Sequence, residues 1–346
     1  MVVPPHQSPA LDAPSREGSI SEYRLVRIRE LDPQLDGLID GMRTVDESWQ
    51  PSDLLPDPAS ESFHDEVEAL RREAAELSDA LLVVLVGNIV TEEGLPLYLL
   101  ALNRFGGVTD ATGIDEHPWA RWARAWTAEE KRHGDVTRTY MYLTGRVDLG
   151  AVERTVQHFL RNGFDTTAGG DPYRGLAYAS YQEHATKRSW QQLGKLVGEA
   201  GAPRLHRICG LVAADEARHE RVYASLMAEV VRRDPEGGLD ALHATLAHGI
   251  VMPARTMTDG VDRRLFQHFA DVGHRAGVYT LEDYAANLAQ LIEGLGLAGL
   301  RGLSGEAERA RDELCALPER YARLADERRA HPSRPVPFSW IYGRRA

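Results

Sequence analysis

Two short segments carry the residue types that could do chemistry. One reads Glu129-Glu130-Lys131-Arg132-His133, and the other reads Asp215-Glu216-Ala217-Arg218-His219. Each is an acid, a Glu, any residue, an Arg and a His. On a helix, positions three apart share a face, so Glu130 and His133 point the same way, as do Glu216 and His219. Carboxylate oxygen with imidazole nitrogen, and no thiolate, suits iron or manganese better than a structural zinc site. One Glu-x-x-His could be an ordinary solvated face. Two copies with matching neighbours point to a metal pair.

A two-metal carboxylate site in a helix bundle also needs one lone Glu from each of two further helices. Glu92 closes the apolar run Val83-Val84-Leu85-Val86-Gly87-Asn88-Ile89-Val90-Thr91, and Glu183 follows Tyr178-Ala179-Ser180-Tyr181-Gln182. The chain order is then lone Glu, motif, lone Glu, motif. That is a degenerate repeat, consistent with a pseudo-two-fold four-helix bundle. A buried carboxylate without a partner is costly, so a metal would account for Glu92 in its apolar setting. Ligating histidines usually donate their second ring nitrogen to an acid. By pseudo-symmetry, Asp215 would orient His133, with Glu129 in the equivalent place, and Arg132 and Arg218 would pair with these acids. Thr186 lies three residues after Glu183 and would set a hydroxyl on the same helix face. A packing role serves it equally well.

The elements that must position these residues are helices nearly throughout. Helical spacing of apolar residues covers Phe63 to Asn103, with a kink expected at Pro96. Pro118 opens a helix running toward Leu143, and Asp148 caps another ending near Gly163. Helical patterns then cover Tyr173–Glu199, Pro203–Arg233, Gly238–Ile250, Arg263–His274, Leu281–Glu293 and Glu306–Arg329. The tail from Pro332 reads as extended, with weak strand candidates. The fold class is all-α. Residues 1–40 are expected to form a flexible N-terminal segment, and 41–346 a single domain.

The composition excludes several function classes. At 346 residues with two cysteines, Cys209 and Cys315, the chain needs no disulfide framework and fits a reducing compartment. A net charge of −12 argues against a general nucleic-acid binder. The longest apolar run, 80–86, is far short of the roughly 20 residues that span a bilayer. The N-terminus lacks the marks of a signal or transit peptide. A cytoplasmic protein is expected.

Beyond the ligands, the chain resembles the soluble acyl-[acyl-carrier-protein] desaturases, the stearoyl-ACP Δ9-desaturase family. The likeness lies in Thr91-Glu92-Glu93-Gly94-Leu95-Pro96, in Trp126-Thr127-Ala128-Glu129-Glu130-Lys131-Arg132-His133-Gly134-Asp135, and in Ile208-Cys209-Gly210 with Ala213-Ala214-Asp215-Glu216-Ala217-Arg218-His219-Glu220. Trp49-Gln50-Pro51, Met252-Pro253-Ala254, Gly277-Val278-Tyr279-Thr280 and Pro337-Phe338-Ser339-Trp340-Ile341 extend it, from about residue 45 to the C-terminus. The resemblance implies a ferritin-like four-helix di-iron bundle with additional surrounding helices. It implies two Fe ions per chain, with Glu92 and Glu183 terminal, Glu130 and Glu216 bridging, and His133 and His219 completing one iron each. It implies O2-dependent formation of a cis double bond in an acyl chain on acyl carrier protein. Electrons would come from ferredoxin, with Trp49, His133 and Asp215 on their route, and the protein would be a homodimer.

Ala101, Phe105, Tyr181, Thr186 and Leu176 are candidates for the channel lining. Phe105 is bulkier than the residue expected there, which would favour a shorter or differently placed chain. Lys131 and His184 also depart from the family pattern, where Asn and Arg are expected. Carrier protein is acidic, so Arg71, Arg72, Lys187, Arg188, Lys195, Arg263 and Arg264 are docking candidates. Three other readings stand. An iron-storage ferroxidase would not need the long region after Arg233. A ribonucleotide reductase small subunit would need a radical tyrosine, and Tyr140 does not fit that place. A diverged desaturase-like protein could keep the metals without turnover.

Overall fold

A computed structural model describes residues 22–330 and 333–346. The chain runs through α1 (Glu22–Arg29), α2 (Asp32–Asp40), α3 (Phe63–Ala75), α4 (Asp79–Glu92), α5 (Leu95–Leu102), α6 (Pro118–Thr144) and α7 (Leu149–Asn162). It continues through α8 (Pro172–Glu199), α9 (Pro203–Arg233), α10 (Pro235–Leu246), α11 (Leu265–Arg275), α12 (Leu281–Gly294) and α13 (Gly305–Ala330). Among the described residues there is no named strand. The tail makes one isolated antiparallel bridge, Pro337 with Arg345, and buries Phe338, Trp340 and Ile341.

Four helices form the central bundle. α8 pairs with α9, α4 with α6, and α4 with α8 and α6 with α9 close the square. α4 is apolar on every side. Leu82, Val83, Val84, Leu85, Val86, Ile89 and Val90 are all buried, as expected of a helix enclosed by others. At roughly 1.5–3 kcal/mol per side chain, this burial outweighs the several kcal/mol of desolvating the Glu92 carboxylate. The apolar run thus carries Glu92 into the interior.

Residues 63–103 depart from one kinked helix. Ser78 accepts a hydrogen bond from the Leu81 N–H, which starts α4 afresh, and α3 meets α4 at a bend of 116°. Pro96 stands in the first turn of α5, where its missing N–H costs nothing, so it opens a helix there. The caps read from sequence hold. The Asp148 side chain accepts from the Ala151 N–H at 3.0 Å.

The expected flexible segment is corrected in its second half. Residues 1–21 lie outside the described residues, but 22–40 form α1 and α2. Ile28, Leu31 and Leu35 are buried, with α1 against α8 and α9, and α2 against α6 and α9. Few apolar residues on these short helices face inward, so their pattern was weak. Their burial depends on distant helices.

Gly87 marks where α11 closes over α4. A Cβ at this position would lie 2.0 Å from the Phe269 ring. We predict that Gly87→Ala lowers unfolding stability by about 1–3 kcal/mol through overpacking. Chemical denaturation tests this, and a midpoint equal to wild type would show that the ring moves freely.

Candidate metal centre

The bundle brings all six expected ligands together. Glu92 comes from the end of α4, Glu130 and His133 from α6, Glu183 from α8, and Glu216 and His219 from α9. Glu92, Glu130, His133 and Glu216 form one group, and Glu130, Glu183, Glu216 and His219 the other. The ligand atoms within each group lie within 4.8 Å of one another. Glu130 and Glu216 are common to both groups, so the two sites share two carboxylates. All six residues are buried.

The geometry is nearly two-fold. His133 Nδ1 lies 3.4 Å from both Glu130 Oε2 and Glu216 Oε1, and 3.8 Å from Glu92 Oε2. His219 Nδ1 lies 2.9 Å from Glu130 Oε1, 3.6 Å from Glu216 Oε2 and 3.8 Å from Glu183 Oε2. The outer nitrogens face acids. His133 Nε2 is 3.4 Å from Asp215 Oδ2, and His219 Nε2 is 2.9 Å from Glu129 Oε2. Donation outward from Nε2–H leaves the Nδ1 lone pair facing inward, as a metal ligand requires.

Arginines hold both acids in place. Arg132 donates to Asp215 at 3.0 Å, and Arg218 donates to Glu129 at 3.1 Å and also to Asp215. Burial raises the Asp215 carboxyl, but His133 and Arg218 outweigh it and hold it well below the usual carboxylate range. Glu129 behaves likewise, with His219 and Arg218 overcoming burial.

The interior ligands lack such compensation. Burial and the Glu130 charge push the Glu92 carboxyl well up, and burial and Glu216 do the same to Glu183. Burial also raises Glu130, but His133 and His219 outweigh it and bring it to about 2. For both histidines burial lowers the ring pKa, and the surrounding carboxylates more than reverse this. His133 Nδ1, His219 Nδ1, Glu130 Oε1 and both Glu216 oxygens have no hydrogen-bond partner outside the six ligands. Buried polar atoms are normally paired. Orphaned atoms converging in two groups, all oxygen and nitrogen, fit a pair of hard or borderline divalent cations.

A family model described as fatty acid desaturase matches residues 24–342. The chain belongs to this family. It is 43% identical to the acyl-[acyl-carrier-protein] 6-desaturase of Thunbergia alata, over 96% of this chain and 89% of that one. It is 48% identical to acyl-[acyl-carrier-protein] desaturase 3 of Oryza sativa subsp. indica, over 89% and 79%. It is 44% identical to stearoyl-[acyl-carrier-protein] 9-desaturase 1 of Arabidopsis thaliana, over 89% and 79%. The crystal structure of DesA2 from Mycobacterium tuberculosis H37Rv superposes with a TM-score of 0.51 at 17% identity, over 82% of this chain and 99% of that one. That last likeness concerns the fold alone.

The desaturase chain surrounds its metal site with aromatic residues. Trp49 donates to Asp215 Oδ2 at 3.0 Å, and its ring stacks on His133 at 6.2 Å. Sequence reasoning missed Trp190, which is fully buried and donates to Glu92 Oε1 at 3.1 Å. It also missed Trp122, which stands edge-on to His219 at 6.1 Å and donates to the Tyr223 hydroxyl at 3.1 Å. Trp190 lies seven residues after Glu183 on the same helix, two turns along. That spacing was the available signal.

A cavity of about 680 Å³ opens on Glu92, Glu130, Glu183 and Glu216. Ala101, Phe105 and Thr186 line it. Leu176 instead lines a smaller cavity of about 470 Å³ beyond Phe105. Tyr181 packs into Tyr284 and lines neither. Tyr181 sits on a face turned away from the ligands, whereas Leu176, two turns before Glu183 on the same face, lies beyond Phe105. Four docking candidates are engaged within the chain. Arg71 donates to the Leu143 carbonyl and to Glu68, and Lys195 lies 4.0 Å from Glu199. Lys187 pairs with Glu220, which also binds His184, and Arg188 donates to Asp283.

Metal loading must expel protons from this cluster. His133, His219, Glu92 and Glu183 all have raised pKa values before metal binds, and ligands must be deprotonated. Affinity therefore rises with pH. We predict that Fe(II) binds more weakly near pH 6 than near pH 8, by about tenfold per pH unit for each proton displaced. Anaerobic titration measures this, and an affinity independent of pH would contradict it.

Proposed function

We propose that this chain is an O2-dependent di-iron desaturase. It introduces a cis double bond into a fatty acyl chain carried on acyl carrier protein, with electrons from ferredoxin. The observation that carries this is one juxtaposition. Two ligand groups sharing Glu130 and Glu216 open directly onto a largely apolar cavity. The relatives' names, acyl-carrier-protein desaturases, support the same substrate class.

A saturated methylene has no acid–base handle, so a metal pair supplies the oxidising chemistry when bound. Glu92 and Glu183 would each hold one iron, Glu130 and Glu216 would bridge the two, and His133 and His219 would complete one each. The protein orients the chain and excludes water. Tyr98, Phe105, Phe164 and Tyr178 wall the cavity so that a chain lies beside the ligand groups. Asp215 and Glu129 hold the imidazoles. Trp49, bonded to Asp215 and stacked on His133, connects one iron toward the surface and is the candidate electron entry. Thr186 is a catalytic candidate because its hydroxyl lines the cavity on the helix that carries Glu183.

Arg263 and Arg264 are exposed at the start of α11, whose Phe266 and Phe269 line a second cavity. They are the docking candidates best placed for an acidic carrier. A homodimer and a cytoplasmic location complete the reading. Among the described residues, no single helix is long and apolar enough to cross a membrane.

The direct test supplies iron, ferredoxin, its reductase, NADPH and O2 with acyl carrier proteins of several chain lengths. An unsaturated product is expected, lost in Glu130→Ala and His219→Ala, with about two irons per wild-type chain. Iron mineral without unsaturated product would favour storage.

Chain length generates a second prediction. Phe105 lines both the 680 Å³ cavity and the 470 Å³ cavity beyond it. Its ring divides them. Phe105→Ala is expected to join the two and shift preference toward longer chains. Competition between acyl carrier substrates measures this, and an unchanged preference would place the length limit elsewhere.

A further inference from the structure

Two cavities reach the ligand Glu92 from opposite sides. One, about 680 Å³, includes Ala101, Phe105 and Tyr178; the other, about 690 Å³, includes Met252, Phe269 and Tyr279. They abut along a common wall of Thr91, Glu92, Gln182, Thr186 and Pro253. A chain filling both must cross that wall beside the metal ligands.

The two polar side chains contributed by α8 are tied to each other. Gln182 Nε2 donates to Thr186 Oγ1 at 3.0 Å, and Thr186 Oγ1 donates to the Gln182 carbonyl at 3.1 Å. The Thr186 hydroxyl thus donates and accepts within one helix turn. No proton is left to turn toward the ligand groups. Thr91, across the wall, is likewise engaged by the Gly87 carbonyl at 3.0 Å. Gln182 Oε1 is buried and has no partner. A buried amide oxygen left unpaired is unfavourable, so this arrangement of Gln182 is weakly held and readily displaced.

We propose that Gln182 is a substrate-displaced latch, closing the passage between the two cavities and holding the Thr186 hydroxyl away from the metal site until an acyl chain threads past. The inference rests on the desaturase reading above, and adds a positioning residue to it. An arriving chain pushes the Gln182 amide aside and breaks its bond to Thr186. The hydroxyl is then free to orient toward the ligand groups only when substrate is present. Presence of the chain is thereby coupled to readiness of the site.

The test uses the full-length, iron-loaded protein without reductant, so that binding is read without turnover. Association of palmitoyl-carrier protein is followed by stopped flow. Gln182→Ala removes both the plug and the tie, and is expected to speed association about tenfold, the scale of one lost hydrogen bond. Gln182→Leu keeps the bulk and loses the tie, so association is expected to speed up as in Thr186→Val, by the scale of that one hydrogen bond. With electrons supplied, both variants should consume O2 without acyl chain and form fewer double bonds per O2 than wild type. Thr186→Val leaves Gln182 in place but frees it, and should also speed association; it decides the matter if the Gln182 variants load less iron. Association unchanged in both Gln182→Ala and Thr186→Val overturns the latch, even where wild type makes unsaturated product. Wild type that binds acyl carrier protein yet makes no unsaturated product overturns the desaturase reading instead. Faster association in Gln182→Ala then still supports the plug.

Discussion

Six ionisable side chains share one buried space at the centre of the bundle. Four carboxylates and two imidazoles cannot all be accommodated there as free charges, because burial disfavours each charged form and the carboxylates repel one another. The metal-free arrangement is divided. Glu130 is held down, whereas Glu92 and Glu183 are pushed up. Only cations bridging the shared carboxylates relieve every member together. The surrounding structure is organised to sustain this frustration, with the apolar α4 carrying Glu92 inward and Trp190 fixing its oxygen.

The ring of groups outside the ligands plays the opposite part. Asp215 and Glu129 are fully compensated by imidazole and guanidinium, and Arg218 touches both acids. This closed network links α6 to α9 across the pseudo-two-fold axis. It holds both imidazoles in one orientation. Preorganisation of this kind is what a metal site needs to bind without rearranging.

Much of this was legible in the sequence because it is local. The i, i+3 spacing places Glu130 with His133 and Glu216 with His219 from helix geometry alone, and Asp148 and Pro118 mark helix starts by their own chemistry. What escaped is contact between residues distant in the chain. Trp190 reaches Glu92 across 98 positions, and no local pattern announces that. Ile28 and Leu35 find their burial only against helices far downstream. Tyr181 sits on the right helix, yet register turns it from the ligands, and Leu176 shares the Glu183 face but lies beyond Phe105. The helix break at Ser78 was hidden because apolar spacing continues across it.

Phe105 and Gly175 touch so closely that neither position is independent. A Cβ on Gly175 would lie 2.8 Å from the Phe105 ring, tighter than side chains tolerate. While the large ring is present, residue 175 is confined to glycine; once the ring shrinks, that confinement lifts. The order in which the two positions are substituted therefore matters. A change at 105 must come first, and one at 175 can only follow. The end of this cavity therefore behaves as one two-residue unit, and an exchange at 175 alone is expected to fail where the same exchange made together with 105 succeeds.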